Sequence, residues 1–231
     1  MTKTKRIKEQ KEWDSYWKKE KTKSQAAYRV IAKLYRQLII RKVLNTFIEK
    51  NFRKGASLLH AGAGTGQVDE DIINSYKITA LDLSKEAIKL YKLTHGEKAK
   101  LIQASIFNVP VAPETFDGIY NLGVMEHFTK EENIKILKEF RRILKTNGKI
   151  VLFWPPKFGL TVMFLNSLHF IFNNILRKNI RLHPEEISLA RSKKHVEEIL
   201  DASGFKLIEF YFGPADLFTH YVIVAKKDTK K

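Results

Sequence analysis

The sequence predicts an α/β fold: a seven-stranded, mostly parallel sheet with helices on both faces, a reversed last strand, an N-terminal helical extension and a helical insertion after the fifth strand. Three observations carry this. From Gly55 onward, short apolar runs alternate with helix-period segments, the pattern of a parallel sheet. The first run, Leu58-Leu59-His60-Ala61, feeds a glycine-rich turn, Gly62-Ala63-Gly64-Thr65-Gly66. The last two strand candidates are joined too closely for a right-handed crossover, so they must run antiparallel.

Residues 1–54 form the extension. From Gln25 to Phe52 the apolar residues Val30, Ile31, Leu34, Leu38, Ile39, Val43, Leu44, Phe47 and Ile48 recur at spacings of three and four, which reads as amphipathic helix. Before it stands an aromatic cluster, Trp13-Asp14-Ser15-Tyr16-Trp17, expected either to close over a ligand or to pack in the core. Residues 55–231 form the main domain. Strands are expected at Ser57–Ala61, Ile78–Leu81, Lys100–Ala104, Gly118–Asn121 and Lys149–Trp154. Helices are expected at Val68–Ser75, Lys85–Leu93 and Lys130–Lys145, the last started by a capping-box spacing, Thr129 to Glu132, and stopped by Asn147-Gly148. An insertion at about 157–191 breaks the rhythm. A helix at Ser192–Ser203 and strands at Lys206–Phe212 and Tyr221–Ala225 complete the sheet.

Composition narrows the chemistry. The 231 residues contain no cysteine, which excludes disulfides, cysteine-ligated zinc, iron–sulfur clusters and a thiolate nucleophile. No histidines have metal-ligand spacing; His95, His183, His195 and His220 read as surface or structural, and His169 as part of a polar helix face. The formal charge of +17 is unevenly spread. Residues 1–54 hold 17 Lys and Arg against 5 Asp and Glu, residues 55–156 hold 13 against 12, and residues 157–195 hold 7 against 2. The excess therefore lies outside the alternating core. The basic first ten residues lack the apolar stretch of a secretory signal, and polar residues interrupt the apolar run Phe158–Leu176, so a soluble cytoplasmic protein is expected.

The turn after the first strand carries the chemistry. Glycines there allow sharp bending and close approach of a ligand to bare backbone, and a following helix N-terminus would favour an anionic group. The spacing is Gly-x-Gly-x-Gly, not the Gly-x-Gly-x-x-Gly of dinucleotide sites, and no phosphate-loop Lys follows. Twenty residues after Gly62, Asp82 ends the second strand, where an acid accepts ribose hydroxyls; its alternative role is a cap on the helix beginning near Ser84.

These features together resemble the class I S-adenosylmethionine-dependent methyltransferases of the small-molecule branch, whose sheet is Rossmann-like. Ala61-Gly62-Ala63-Gly64-Thr65-Gly66 is similar to that family's cofactor loop, Leu81-Asp82-Leu83-Ser84 to its ribose-binding strand end, Phe116–Asn121 to its fourth strand, Gly123–Phe128 to its Leu-Glu-His loop, and Asn147–Leu152 to the turn into its fifth strand. The resemblance implies S-adenosyl-L-methionine as cofactor, bound by His60, Ala61, Gly62, Gly64, Thr65, Gly66, Asp82, Leu83, Ser105, Ile106, Asn121 and Leu122. Two positions depart from the pattern: His60 and Ser105 stand where the family usually has acids.

Methyl transfer needs a base when the acceptor is a hydroxyl or a protonated amine, and His127, in the loop after the fourth strand, is the candidate; its alternative is a packing role within that loop. Residues 157–195 pair an apolar helical face (Leu160, Met163, Phe164, Leu168, Ile171, Phe172, Ile175) with Arg177, Lys178, Arg181, Arg191, Lys193 and Lys194. That face is expected to form a buried lid, an apolar acceptor pocket or a peripheral membrane contact. The expected acceptor is a small anionic or amphiphilic molecule: a lipid, a quinone precursor or a saccharide. Arg29, Arg36 and Arg41 are conceivable partners for an anionic group. Two other readings stand: an RNA methyltransferase, disfavoured by the lack of an Asn/Asp-Pro-Pro-Tyr motif and of cysteine, and a non-catalytic binding protein of the same fold.

Overall fold

The computed structural model describes residues 3–18, 30, 32–160, 177 and 187–228. Its centre is one seven-stranded sheet. In chain order the strands are β1 (Ser57–Ala61), β2 (Lys77–Asp82), β3 (Lys100–Gln103), β4 (Phe116–Leu122), β5 (Leu144–Trp154), β6 (Phe205–Tyr211) and β7 (Tyr221–Lys227). Across the sheet the order is β3-β2-β1-β4-β5-β7-β6. The pairs from β3 to β5 are parallel, and β7 runs antiparallel to both β5 and β6. The order reverses between β1 and β4, so a crevice opens there at the carboxyl ends of the strands.

The described helices are α1 (Lys3–Lys18), α2 (Arg41–Asn51), α3 (Lys85–His95), α4 (Lys130–Ile143) and α5 (Lys193–Ala202). Strand alternation sends side chains to two cores. Leu59, Ala61 and Ile119 pack with Ile136 and Phe140 of α4 and Val196 and Ile199 of α5. Leu58 and Tyr120 pack on the other face with Val43, Leu44, Phe47 and Ile48 of α2. The extension is therefore continuous with the sheet's core at α2. Thr129 and Glu132 form the capping box of α4.

Three local expectations are corrected. No regular helix follows the glycine turn: residues 67–75 are successive turns, with Asp69 N–H bonded to the Gly66 carbonyl at 2.9 Å and Ile72 N–H to that of Asp69 at 3.0 Å. The cause is Asp69, whose side chain is pulled inward rather than left on a helix surface. The extension's amphipathic stretch is interrupted by a π-helical turn at Arg36–Ile40, whose end donates Arg41 N–H to the Arg36 carbonyl. The helix expected to reach Lys145 ends at Ile143, because Leu144 already pairs with Phe116 and begins β5. Most of the insertion, with Met163, Phe164, Leu168, His169, Ile171, Phe172, Ile175, Lys178, Arg181 and His183, lies outside the described residues, as does Arg29.

Candidate active site

A cavity of about 320 Å³ lies in the crevice. Its floor is the glycine turn. Gly62, Gly64 and Gly66 all have positive φ, and Gly62 and Gly66 also lack room for a side chain. A Cβ on Gly62 would stand 2.5 Å from Val124 Cγ2, and one on Gly66 2.3 Å from Tyr91 Cε2. The N–H groups of Gly62 and Ala63 both donate to the Leu81 carbonyl, at 2.8 and 3.0 Å, which ties the turn to the end of β2.

Asp82 binds the same two elements together. Its Oδ2 accepts the Gly64 N–H at 2.9 Å and its Oδ1 the Ser84 N–H at 2.8 Å. A carboxylate has about four acceptor positions, so ribose hydroxyls can still be received. Burial pushes the Asp82 carboxyl above its ordinary pKa, against the opposing pull of the Ser84 and Gly64 amides and of His60. The helix-cap role expected as the alternative belongs to Ser84, whose Oγ accepts the Ala87 N–H at 3.2 Å at the start of α3.

Helix α1 forms part of the roof. Asp14 Oδ1 accepts from Ser84 Oγ at 2.5 Å and from Glu86 N–H at 3.4 Å, so it occupies the N-terminal end of α3, where a negative charge is favoured. Trp13, Tyr16 and Trp17 stack edge-to-face in sequence and line the cavity. Trp17 lies on the turn, with Cη2 and Cζ2 both 3.0 Å from where a Gly64 Cβ would be. Trp17 fluorescence is therefore expected to change on binding S-adenosylhomocysteine, and Trp17→Ala to remove that change while weakening binding about tenfold; a titration of emission intensity checks both.

The opposite wall comes from the loop after β4 and from the sheet's reversed edge. His127 lines the cavity with its ring edge-to-face against Trp13, centroids 5.2 Å apart, and its Nε2 4.0 Å from Glu126 Oε1. The loop is held by Asn133 of α4, whose Nδ2 donates to the carbonyls of Met125 and Phe128, and by Glu126, whose carbonyl receives Ile187 N–H and Ser188 N–H. From the far side comes His220, just before β7, with Tyr35 and Arg36 from the π-turn region. Asp216, fully buried, accepts His220 N–H at 2.8 Å; His220 Nδ1 lies 2.9 Å from Thr219 Oγ1 and 3.4 Å from Asp216 Oδ2.

Of the residues expected at the site, His60, Gly62, Gly64, Thr65, Gly66, Asp82, Leu83, Ser105, Ile106, Leu122 and His127 line the cavity. Ala61 and Asn121 do not: both are fully buried and outside its walls. Asn121 alternates with Tyr120 and Leu122 and so takes the opposite face of β4. Ser105 Oγ accepts the Phe107 N–H at 3.3 Å, which shapes the end of β3. Arg36 lines the cavity, whereas Arg41 pairs outside it with Glu70 and Asp71. His220, Asp14 and Tyr35 were missed by sequence reasoning; the reversed strand delivers His220, and only knowledge of the β5–β7 pairing would have found it. His95, expected at the surface or in a structural role, is buried, with Nε2 donating to the Gly66 carbonyl at 2.8 Å.

The family model described as a methyltransferase domain matches residues 59–152, from the first strand through the fifth. Over these residues the chain is similar to a methyltransferase domain, and its seven-stranded sheet has the class I fold. An uncharacterised protein of Methanocaldococcus jannaschii is 32% identical over 99 residues, 43% of this chain and 40% of that protein. An uncharacterised methyltransferase of Bacillus licheniformis is 27% identical over 100 residues, 43% of this chain and 47% of that protein. The chain thus matches less than half the length of either. Among solved structures, the magnesium protoporphyrin IX methyltransferase of Synechocystis superposes with a TM-score of 0.67 at 14% identity, over 96% of this chain and 99% of that one.

The methyltransferase domain fits S-adenosylmethionine. The glycine turn leaves bare backbone on the cavity, and Asp82 at the end of β2 and Ser105 and Ile106 after β3 line the same space. Among the described residues, no helix is long and apolar enough to cross a membrane.

Proposed function

We propose that the protein methylates a small amphiphilic acceptor, with S-adenosylmethionine as donor. One observation carries this reading: the glycine turn, Asp82, His127 and an aromatic roof all face a single cavity. When bound, S-adenosylmethionine supplies a methyl group made electrophilic by the sulfonium. The protein's own work is to hold and exclude. Asp82 and the turn fix the ribose. Trp13, Tyr16 and Trp17 keep water from the space in front of the turn. His127, in the loop that edges the cavity, takes a proton from a hydroxyl or ammonium acceptor.

The cavity wall favours an amphiphile with few charges over a polyanion. Among the described residues that line it, Arg36 is the one guanidinium and no Lys joins it, whereas Glu9, Asp82 and Glu126 are carboxylates. Aromatic side chains on two sides suit a flat or apolar body. A lipid or quinone precursor fits these walls better than a phosphorylated saccharide. The Synechocystis enzyme, by its name, acts on magnesium protoporphyrin IX. Phe158, Leu160, Leu217 and Phe218 are exposed at the foot of the insertion, which supports delivery of such an acceptor from a membrane surface.

The test uses S-adenosylmethionine with a labelled methyl group and a whole-cell extract. Label is expected in the organic phase. Label in precipitated RNA would install the nucleic-acid reading instead, and no transfer together with intact S-adenosylhomocysteine binding would install the non-catalytic one. With the labelled fraction as acceptor, His127→Ala should lower turnover about 100-fold with an unchanged melting temperature; full activity would return His127 to a packing role.

A further inference from the structure

Beneath the glycine turn lies a group of buried polar side chains that the proposed chemistry does not use. Asp69 is fully buried. Its Oδ2 accepts from Tyr91 OH at 2.7 Å and lies 2.8 Å from His60 Nδ1; its Oδ1 accepts from Tyr120 OH at 2.8 Å. Burial and the nearby Asp69 carboxylate push the hydroxyl pKa values of Tyr91 and Tyr120 up, so both remain donors. The His60 ring stacks on Tyr120, centroids 4.5 Å apart and planes 28° apart. Tilting the ring would cost the stack, and a half-turn would take Nδ1 from the carboxylate.

A carboxylate that receives three donors puts the imidazole proton on Nδ1. In the neutral ring Nε2 then holds a lone pair. It makes no hydrogen bond among the described residues, and His60 lines the cavity although it is only 2% exposed. Three buried residues thus fix the tautomer and direction of a fourth that touches the ligand space.

What meets Nε2 follows from the strand order. The base belongs at the end of β3 and the ribose at Asp82 on β2. One strand further, about 5 Å along, comes β1 with His60. A cofactor seated as the resemblance implies extends its amino-acid arm toward that strand. We infer that His60 Nε2 accepts a hydrogen bond from the ammonium group of that arm, with Asp69, Tyr91 and Tyr120 as positioning residues that hold His60 in the accepting tautomer. Asp69 also supplies negative charge behind the ring, so the ammonium is favoured at one imidazole's remove and no carboxylate need stand in the cavity at this point.

The inference rests on the S-adenosylmethionine reading, and the test separates the two. Calorimetric titrations would compare S-adenosylhomocysteine, its deaminated analogue S-adenosyl-4-mercaptobutyrate, and 5′-methylthioadenosine, which lacks the arm. The wild type is expected to bind S-adenosylhomocysteine about tenfold or more tightly than the deaminated analogue, as for a hydrogen bond to a charged group. His60→Leu and Asp69→Asn should shrink that preference to about twofold while leaving methylthioadenosine within about twofold of wild type. An undiminished preference in His60→Leu overturns the inference and leaves the cofactor reading standing. A wild type that binds none of the three overturns both. A measurement without variants guards against misfolding: in nitrogen-15-labelled protein, His60 should show a protonated Nδ1 and a bare Nε2. Nε2 should shift with S-adenosylhomocysteine and not with the deaminated analogue. A protonated Nε2 in the complex, or equal shifts, overturns the inference.

Discussion

Gly66→Ala is expected to destabilise the protein by about 3 kcal/mol or more, measured by denaturant unfolding. Two costs add. The residue has φ +67°, where any side chain is strained, and the new Cβ would stand 2.3 Å from Tyr91 Cε2, 2.6 Å from Cδ2 and 2.9 Å from His95 Nε2. Neither neighbour can retreat. Tyr91 is fully buried and its hydroxyl is held by Asp69, while His95 is bonded to the carbonyl of Gly66 itself. Gly55→Ala separates the two costs. Its φ is +81° but nothing lies within 4 Å, so only the backbone strain remains, about 1–2 kcal/mol. Equal losses at the two positions would show that packing under the turn is loose.

The second large effect is on affinity. Asp82→Asn should weaken S-adenosylhomocysteine binding by about 10- to 100-fold by calorimetry, because the ribose loses a charged acceptor. Part of that loss reports the turn rather than the sugar, since the same carboxylate receives Gly64 N–H and Ser84 N–H. The pH dependence separates them. Burial raises the Asp82 pKa, and the ribose-binding form is the carboxylate. Affinity is therefore full above this raised pKa and falls as pH drops through it, starting at a higher pH than an exposed aspartate would require. Folding stability runs the other way, because the neutral carboxyl is the form that burial favours. Asp82→Asn should abolish the acid limb of the binding curve. A limb that persists in the variant would assign it to another group.

The sequence made the glycine turn and Asp82 legible because both depend on local spacing: a bend after one strand and an acid at the end of the next. The turns at 67–75 were not legible. Val68, Ile72 and Ile73 have helical spacing, yet Asp69 is drawn to Tyr91 and Tyr120, 22 and 51 residues away, and helix gives way to that tertiary demand. Asn121 follows Tyr120 on the opposite face of β4 and lies fully buried behind the cavity walls. His220 needed the reversed β7, which brings residue 220 level with the ends of β4 and β5: Trp154 pairs with Tyr221, and Leu122 with Phe153. Position along the chain carries no hint of that return.

The attachment of α1 sets a timescale as well as a shape. The helix is joined to the body by Asp14 at the start of α3, by the Lys18–Glu86 ion pair at 3.4 Å and by Trp17 on the turn. On the proposed reading a nucleoside lies beneath Trp17, and its release is expected to quicken when that helix is loosened. Its residence time then measures how firmly the helix is seated, and a change in α1 far from any ligand atom alters how long the product stays while leaving the groups that recognise it untouched.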